Sequence, residues 1–206
     1  MRRKPAGSHV GGLLLAAGCS LRYPAGSKLL LPFREDTVVG SAVRAALEAQ
    51  LRPLVIVIGH EAEAVREALG DAPVRFVENR EYRLGLGTSL AAGIRELEAE
   101  REVGAVAILL GDEPGVRPAA IRSVVSAWRE LGVPAARAVY RNRPGHPVIV
   151  DRSHFPRLAR TSGDEGLGAL LRAGELPLHA VRIDAPAPLD IDTPDDYAAA
   201  RRRREP

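Results

Sequence analysis

Cysteine is almost absent from this chain of 206 residues, in which Cys19 is the only one. A single cysteine excludes an intramolecular disulfide and any metal site built on a cysteine cluster. Its thiol is either reactive or, in the simpler interpretation, a small side chain that fills a tight loop. Histidine offers no substitute, because four of the five show no spacing typical of metal ligands: His9, His60, His154 and His179.

Aromatic residues make up only 4% of the chain, and long apolar runs are missing. Proteins that bind single-stranded nucleic acid stack bases on aromatic side chains, so the composition argues against that class. The longest apolar run, around residues 13–17, is far too short to span a bilayer, and the N-terminus has no hydrophobic region of secretory length. We therefore expect a cytoplasmic protein that has neither nucleic acid nor a membrane as a partner.

Lysine is scarce as well, since only Lys4 and Lys28 are lysine among the 29 basic residues. The chain uses arginine for positive charge at nearly every other position. A lysine at position 28 therefore suggests a role for a compact, flexible ammonium group, which differs physically from a planar guanidinium. With only two lysines, chance is the alternative.

The formal net charge is +3, and an arginine run at residues 201–204 accounts for the excess. Such a run could contact nucleic acid or an anionic membrane, but the simpler interpretation is that it closes a C-terminal helix, where cations favour the helix dipole. The length fits one domain. We expect a flexible N-terminus at residues 1–9, the domain at residues 10–200 and a basic tail at residues 201–206.

Apolar runs and helical periodicities alternate along the chain. Strands are predicted at residues 10–15, 53–59, 74–77 and 103–110, and helices at residues 37–50, 61–69, 88–100 and 118–131. This alternation is typical of an α/β fold with a mostly parallel central sheet and helices on both faces. Two further β-like segments, 135–140 and 147–150, predict a hairpin or a mixed edge of the sheet. In open sheets of this kind, ligands bind beyond the carboxyl ends of the strands, where the strand order reverses.

A loop of small residues follows the first predicted strand and is a candidate phosphate site. Small side chains let the backbone approach a ligand, and free N–H groups can cradle phosphate oxygens beside the charges of Arg22 and Lys28. The loop matches neither a Walker A motif nor a dinucleotide-binding turn. Taken alone, such a loop is weak evidence. The candidate residues are Leu15, Ala16, Ala17, Gly18, Ser20, Arg22 and Lys28.

The strongly apolar strand predicted at residues 103–110 runs into Gly111, Asp112, Glu113 and Pro114. A carboxylate at the carboxyl end of a strand is well placed to hold Mg²⁺, which proteins bind through one or two carboxylates together with phosphate oxygens and water. The alternative is a turn in which Asp112 caps the residues from Pro114 onward. Together with the small-residue loop, the pattern favours Asp112 as a metal ligand.

A second pair of acids, Asp190 and Asp192, lies in an extended segment. Their side chains point to opposite sides, so only one is expected to face the metal. We assign Asp192 to the metal and Asp190 to the acceptor, with the reverse assignment open. Thr193 then begins a predicted helix as its N-cap, so Asp195 and Asp196 in the first turn are expected to be structural.

These residues resemble the nucleotidylyltransferases related to molybdopterin guanylyl- and cytidylyltransferases. Besides the small-residue loop with Lys28, the matching segments are residues 79–89, 110–114, 145–147, 163–166 and 190–194, in the expected order. Each motif is degenerate, but the ordered set is specific. One departure is that the segment between Arg22 and Lys28 is one residue longer than in the family, with Gly26 in place of the usual glycine.

The resemblance is closest to the molybdenum cofactor cytidylyltransferases, because Ala16, Ala17 and Gly18 stand where guanylyltransferases usually have Ala-Gly-Gly. It implies a Rossmann-like fold of glycosyltransferase-A type, Mg²⁺ as cofactor, an NTP donor, with CTP favoured over GTP, and a phosphorylated acceptor related to molybdopterin. A molybdoenzyme is the protein partner that such an acceptor suggests.

The resemblance also implies roles for further residues. Asn79, Gly85 and Ser89 would contribute to nucleotide recognition, where the alternative is a simple turn before a helix. His146 would contact the acceptor or, equally, be a hydrogen-bonded turn residue.

In such an enzyme an acceptor phosphate, already anionic near neutral pH, attacks the α-phosphorus, so catalysis rests on positioning and on stabilising charge. We assign Lys28 and Arg22 to the phosphates and Asp112 to Mg²⁺. Three alternatives stay open: another phosphorylated acceptor such as a sugar phosphate, an accessory protein that delivers cofactor to a molybdoenzyme without turnover, and a nucleic-acid-binding protein that uses the arginine tail.

Overall fold

The computed structural model describes residues 9–19, 23, 26–163, 166–172, 174 and 176–203. The described strands are β1 (His9–Ala16), β2 (Pro32–Phe33), β3 (Asp36–Thr37), β4 (Leu54–Ile58), β5 (Arg75–Glu78), β6 (Val103–Leu110), β7 (Ala135–Tyr140), β8 (Pro144–Asp151) and β9 (Leu178–Ile183). The described helices are α1 (Val38–Glu48), α2 (Ala62–Leu69), α3 (Leu86–Glu98), α4 (Pro118–Leu131), α5 (Phe155–Leu158), α6 (Leu167–Arg172) and α7 (Pro194–Arg202).

Seven of these strands form one sheet in the order β5-β4-β1-β6-β8-β7-β9. β8 pairs antiparallel with both β6 and β7, whereas the other neighbours pair in parallel. The sheet is therefore mostly parallel, as predicted, and the expected hairpin is the β7–β8 pair. Because β8 runs in the opposite direction, its first residues lie at the same edge of the sheet as the carboxyl ends of the other strands.

Helices cover both faces of the sheet. Along β1, Leu14 and Ala16 face one core, with α1, α2, α4 and α7, while Leu13 and Leu15 face the other, with α3, α5 and α6. All residues from Val10 to Ala17 are buried, so burial of both faces of β1 explains why the run is apolar without periodicity.

Three helix starts show how local chemistry sets the boundaries. Thr37 caps α1 by accepting a hydrogen bond from the Gly40 N–H at 3.0 Å, as predicted. Thr193 and Asp196 form a capping box at α7, so Asp196 is structural, also as predicted. The third start is a correction: α3 begins at Leu86 and not at Thr88, because Gly85, at φ 114°, is its N-cap.

The two ends of the chain are described only in part. Residues 1–8 and 204–206, which belong to the expected flexible N-terminus and basic tail, lie outside the described residues, while His9 begins β1 and Arg201 and Arg202 form the last turn of α7. In the part of the chain that is described, no helix is long and apolar enough to cross a membrane.

Candidate active site

The first part of the site is the crevice between β1 and β6, where the strand order reverses. The Gly111 N–H donates to the Leu15 carbonyl at 2.9 Å and the His60 N–H donates to the Ala17 carbonyl at 3.1 Å, so both flanking strands hold the end of β1. Gly18 follows and is exposed, and a Cβ built on it would meet no atom within 4 Å. Its backbone is therefore accessible to a ligand, as the candidate phosphate loop requires.

Lys28 lies between two carboxylates. Its Nζ donates to Oδ2 of Asp112 at 2.6 Å and to Oδ1 of Asp192 at 3.0 Å. The Lys28 side chain is only 12% exposed, compared with 22% for Asp112 and 36% for Asp192. Three of the predicted site residues, from distant parts of the sequence, thus meet at one point. The Asp112 side chain bonds Lys28 and does not cap the following turn, which disfavours that alternative.

The backbone explains this convergence. The Ile191 N–H donates to the Asp112 carbonyl at 3.0 Å, so the segment that carries Asp192 runs alongside the end of β6. The Asp192 N–H in turn donates to Oδ2 of Asp196 at 3.2 Å, which ties this residue to the capping box of α7. On the other side, buried Leu29 anchors the turn that carries Lys28.

The electrostatics keep Lys28 charged. Burial alone would lower the pKa of Lys28, but the charges and hydrogen bonds of Asp112 and Asp192 outweigh it, so the pKa is raised. The two carboxylate oxygens converge on one cation, as oxygen ligands of Mg²⁺ would, so their chemistry fits the metal implied by the sequence. Among the described residues, no group of three or more His, Cys, Asp or Glu side chains is arranged to hold a metal ion. A metal at Asp112 and Asp192 would therefore need phosphate oxygens and water to complete its coordination.

A second cluster surrounds Glu113, a residue that the sequence analysis gave no role. Glu113 is 2% exposed, and its Oε1 lies 3.1 Å from Nδ1 of His146. Arg143 donates to Oδ2 of Asp190 at 3.0 Å. Asp190 and Asp192 thus have different partners, as expected from their alternation. The two predicted acceptor residues, His146 and Asp190, meet at Glu113.

The carboxyl groups of Glu113 and Asp190 lie within hydrogen-bonding distance of each other. Burial, and then the hydrogen bond to Glu113, raise the pKa of Asp190 to about 7. Burial would raise the pKa of Glu113 too, but the hydrogen bond to His146 helps to lower it. Oε2 of Glu113 is buried and has no hydrogen-bond partner among the described residues. Because two carboxyl groups share a hydrogen bond only when one is protonated, the raised pKa of Asp190 and the lowered pKa of Glu113 favour Asp190 as the group that holds the proton.

Asn79 and Ser89 are buried and bonded to each other. Nδ2 of Asn79 donates to Oγ of Ser89 and to Oγ1 of Thr88, both at 2.9 Å, and its Oδ1 accepts from the Glu81 N–H at 3.0 Å. These bonds fix the turn that places Gly85 at the start of α3. Any contribution of Asn79 and Ser89 to nucleotide recognition would act through that backbone, and their role stays a prediction.

Some of the predicted site residues lie outside the described part of the chain. Ser20 and Arg22 lie outside the described residues, as do Asp164 and Glu165 of the matching segment 163–166. Gly26, in the longer loop before Lys28, has φ 102°, a conformation that favours glycine.

One known protein family matches most of this sequence. The sequence matches the MobA-like NTP transferase domain over residues 12–180. The chain belongs to the MobA-like NTP transferase family. This confirms the predicted nucleotidyltransferase family.

Two curated relatives of this MobA-like protein carry different names. It is 32% identical over 169 residues to the nicotine blue oxidoreductase of Paenarthrobacter nicotinovorans, covering 79% of this chain and 81% of that protein. It is 25% identical over 198 residues to the molybdenum cofactor cytidylyltransferase of Escherichia coli, covering 95% of this chain and 97% of that protein. Family membership therefore leaves the reaction to be argued from the site.

Solved structures confirm the fold. Rv0371c of Mycobacterium tuberculosis superimposes with a TM-score of 0.86 at 30% identity and covers 96% of this chain and 100% of that one. A structure of Rv0371c in complex with manganese has a TM-score of 0.78 at 31% identity, over 93% of this chain and 97% of that one. A relative of this MobA-like protein thus binds a divalent metal ion.

The first prediction concerns competition between Lys28 and the metal. A cation that binds Asp112 and Asp192 must displace the ammonium, so we expect the nucleotide-free protein to bind Mn²⁺ weakly. Lys28→Met removes the charge with little change in length and should tighten Mn²⁺ binding by about tenfold or more, because a unit charge at about 4 Å is worth on the order of 4 kcal/mol near a protein surface. Electron paramagnetic resonance of free Mn²⁺ measures this without turnover.

Arg141→Met is the matched control, because Arg141 is an exposed cation paired with Asp184 away from these carboxylates. It should leave Mn²⁺ affinity unchanged. Equal affinities in wild type and Lys28→Met would show that Lys28 does not compete for the metal.

The second prediction concerns the proton on Asp190. Because its pKa is about 7 in the folded protein and 3.8 ordinarily, the folded state holds a proton that the unfolded state has released between these values. This stabilisation is fully present below pH 3.8 and is lost as the pH rises through about 7. From about pH 5 to about pH 8, urea unfolding should therefore show wild type losing more stability than Asp190→Asn. Since the Asp190 side chain is 40% exposed, solvent screening reduces the size of the effect.

Asp184→Asn is the control, because a hydrogen bond from Arg141 lowers the pKa of Asp184 and keeps it ionised over this range. The stability difference between that variant and wild type should not change with pH. A difference between Asp190→Asn and wild type that is equally constant would contradict the shared proton.

Proposed function

We propose that this MobA-like protein transfers CMP from CTP to a phosphorylated acceptor related to molybdopterin, with release of pyrophosphate. An oxygen of the acceptor phosphate forms a bond to the α-phosphorus while the bond from that phosphorus to the bridging oxygen breaks. Pyrophosphate leaves with the electron pair. Because the acceptor phosphate is already anionic near neutral pH, no side chain has to remove a proton.

The observation that carries this proposal is the meeting of Lys28, Asp112 and Asp192 beyond the carboxyl ends of β1 and β6. A protein that only binds a nucleotide has little need for a buried ammonium between two acids. The arrangement suits a reaction in which negative charge moves from the α-phosphate to the departing pyrophosphate, since catalysis then depends on fixed charges at the phosphates.

Each group has one role in this scheme. Mg²⁺ held by Asp112 and Asp192 would neutralise charge on the phosphates. The ammonium of Lys28 exchanges its carboxylate partners for phosphate oxygens when the nucleotide binds. The exposed backbone at Gly18 approaches the phosphates, and Arg22 supplies a second cation there.

The choice of CTP and of the acceptor has two supports. Ala16, Ala17 and Gly18 form the Ala-Ala-Gly motif of the cytidylyltransferase branch. The Escherichia coli relative named molybdenum cofactor cytidylyltransferase aligns with 95% of the chain. A molybdoenzyme that receives the product is the corresponding protein partner.

The third prediction tests the reaction itself. With Mg²⁺ and a molybdopterin-type acceptor, we expect pyrophosphate release with a higher kcat/KM for CTP than for GTP. Asp112→Ala should abolish release and leave the fold intact, because its carboxylate serves the charged site and not the core. Near wild-type release by folded Asp112→Ala, or a higher kcat/KM for GTP, would contradict the corresponding part of the proposal.

The fourth prediction asks whether position 28 needs a lysine. A guanidinium would keep the charge but, being planar and larger, would not fit between the two acids or follow the moving charge. Lys28→Arg should bind CTP within a few-fold of wild type and lose roughly 10²-fold or more in kcat, about 2.7 kcal/mol of transition-state stabilisation. Calorimetry of CTP binding and single-turnover kinetics separate the two effects.

Lys28→Ala is the reference variant and should lose both binding and turnover. Full kcat in Lys28→Arg would show that the identity of the cation is accidental, and Arg22 would then become the candidate for the catalytic charge.

A further inference from the structure

Glu113 is the only charged residue of the described part of the chain that is almost completely buried, and the proposed reaction gives it no task. Its carboxylate lies within hydrogen-bonding distance of two side chains, His146 and Asp190, and no backbone group among the described residues bonds it. A buried carboxylate is unfavourable unless it is paired, and an apolar side chain would fill the same place without that penalty. The carboxylate therefore serves the side chains that it touches and not the scaffold of the fold.

The contact with His146 decides which nitrogen of the ring carries hydrogen. Burial would raise the pKa of Glu113, but the hydrogen bond to His146 is foremost among the contacts that lower it, so the carboxylate is ionised at neutral pH. An ionised carboxylate only accepts hydrogen bonds. Nδ1 of His146, which lies 3.1 Å from Oε1 of Glu113, is therefore the nitrogen that carries hydrogen.

The backbone around His146 is fixed as well as its ring. Oη of the buried Tyr140 donates to the His146 carbonyl at 2.7 Å, and Nε of Arg137 donates to the preceding carbonyl, that of Gly145, at 3.2 Å. One polar group of the ring is then left. Nε2 of His146 has no hydrogen-bond partner among the described residues, and the ring, which is 20% exposed, lies at the wall of a cavity.

We propose that Glu113 is a positioning residue: it holds the Nδ1–H of His146 and so presents Nε2 as a nitrogen without hydrogen, which accepts a hydrogen bond from an N–H or O–H group of the second substrate. This role rests on the proposed function for the identity of that substrate, whereas the state of the ring can be measured without any substrate. A nitrogen without hydrogen and a phosphate oxygen both lack a donor, so His146 does not bind the substrate's phosphate. A heterocycle related to molybdopterin carries N–H groups that suit this nitrogen.

Nitrogen NMR of the full chain, isotopically labelled at the histidine nitrogens and free of nucleotide, measures the tautomer directly. At about pH 9, well above the ordinary histidine pKa, a ring nitrogen that carries hydrogen and one that does not have widely separated chemical shifts. His146→Gln identifies the signals of His146 by their loss. We expect Nδ1 of His146 to carry hydrogen and Nε2 to lack it, in one fixed tautomer. The reverse tautomer, or hydrogen on both nitrogens, would overturn the proposal.

Glu113→Gln tests whether the carboxylate sets this state. A glutamine amide donates as well as accepts, so it no longer selects one tautomer. The two nitrogens of His146 should then move towards averaged shifts like those of His60, His154 and His179, which bond no carboxylate among the described residues.

Glu102→Gln is the matched control, because Glu102 pairs with a histidine, His9, at 3.8 Å, and both side chains are more than half exposed. It should leave the signals of His146 unchanged. If Glu113→Gln does not fold, Glu113→Asp repeats the test, since it keeps the charge and withdraws the oxygens by one carbon–carbon bond, about 1.5 Å. The fixed tautomer should again be lost. Unchanged His146 signals in a folded Glu113 variant would show that Glu113 does not position the ring.

Turnover separates this role from the proposed reaction. With CTP and a molybdopterin-type acceptor, Glu113→Gln should raise the KM for the acceptor about tenfold and leave the KM for CTP within about twofold. A positioning residue acts through its partner, so the same substitution in a His146→Gln background should have no further effect. Additive effects would indicate a structural role and overturn the proposal. The expected NMR spectra without any pyrophosphate release would leave Glu113 as the positioning residue of His146 and remove the reaction.

Discussion

The constraint on which this site depends is the crowding of four carboxyl groups at one edge of the sheet. Asp112 and Glu113 end one segment, and Asp190 and Asp192 come from another, which the hydrogen bond from Ile191 to Asp112 holds alongside it. Four negative charges so close together would repel one another strongly. Three features reduce this repulsion: the Lys28 ammonium between Asp112 and Asp192, the raised pKa of Asp190, and the contact of Glu113 with His146. Lys28 and Asp190 can each exchange these contacts for contacts with a bound ligand, and His146 can add one through its second ring nitrogen.

The reversal of a single strand makes the second half of the site possible. If β8 were parallel to its neighbours, its first residues would lie at the opposite edge, far from Asp112. As an antiparallel strand it brings His146 to Glu113, at the same edge of the sheet as Asp112. The parallel half of the sheet thus carries the small-residue loop and Asp112, and the antiparallel strand carries His146 to the second cluster around Glu113.

The sequence alone predicted the features that are local or periodic. Buried strands such as β6 have apolar runs that end where the strand ends, and the caps at Thr37 and Thr193 have side chains that can be recognised in isolation. The predicted meeting of Lys28, Asp112 and Asp192 needed a further rule, that the carboxyl ends of parallel strands share one edge.

The missed features depend on tertiary contacts. The edge strand β9 is mostly exposed and carries no clear alternation, so its pairing with β7 decides its conformation. The helix predicted at residues 88–100 begins two residues earlier, at Leu86, because its N-cap is Gly85, whose positive φ is set by the folded backbone. No role was predicted for Glu113, because its burial and its contact with His146, 33 residues away, cannot be recognised from its neighbours in the sequence.

The two halves of the site differ in how tightly chemistry restricts them. A phosphate group is the same in every nucleotide, so a loop of small residues and a set of charges can serve any member of the fold. The second cluster, around Glu113, is held by His146 and Asp190, neither of which bonds the Lys28 ammonium. Relatives at 25–32% identity carry names as different as cytidylyltransferase and oxidoreductase, so membership of the family does not by itself name the reaction. In the proposed reaction, the charged cluster of Lys28, Asp112 and Asp192 therefore serves the nucleotide, and the groups around Glu113 would distinguish one acceptor from another.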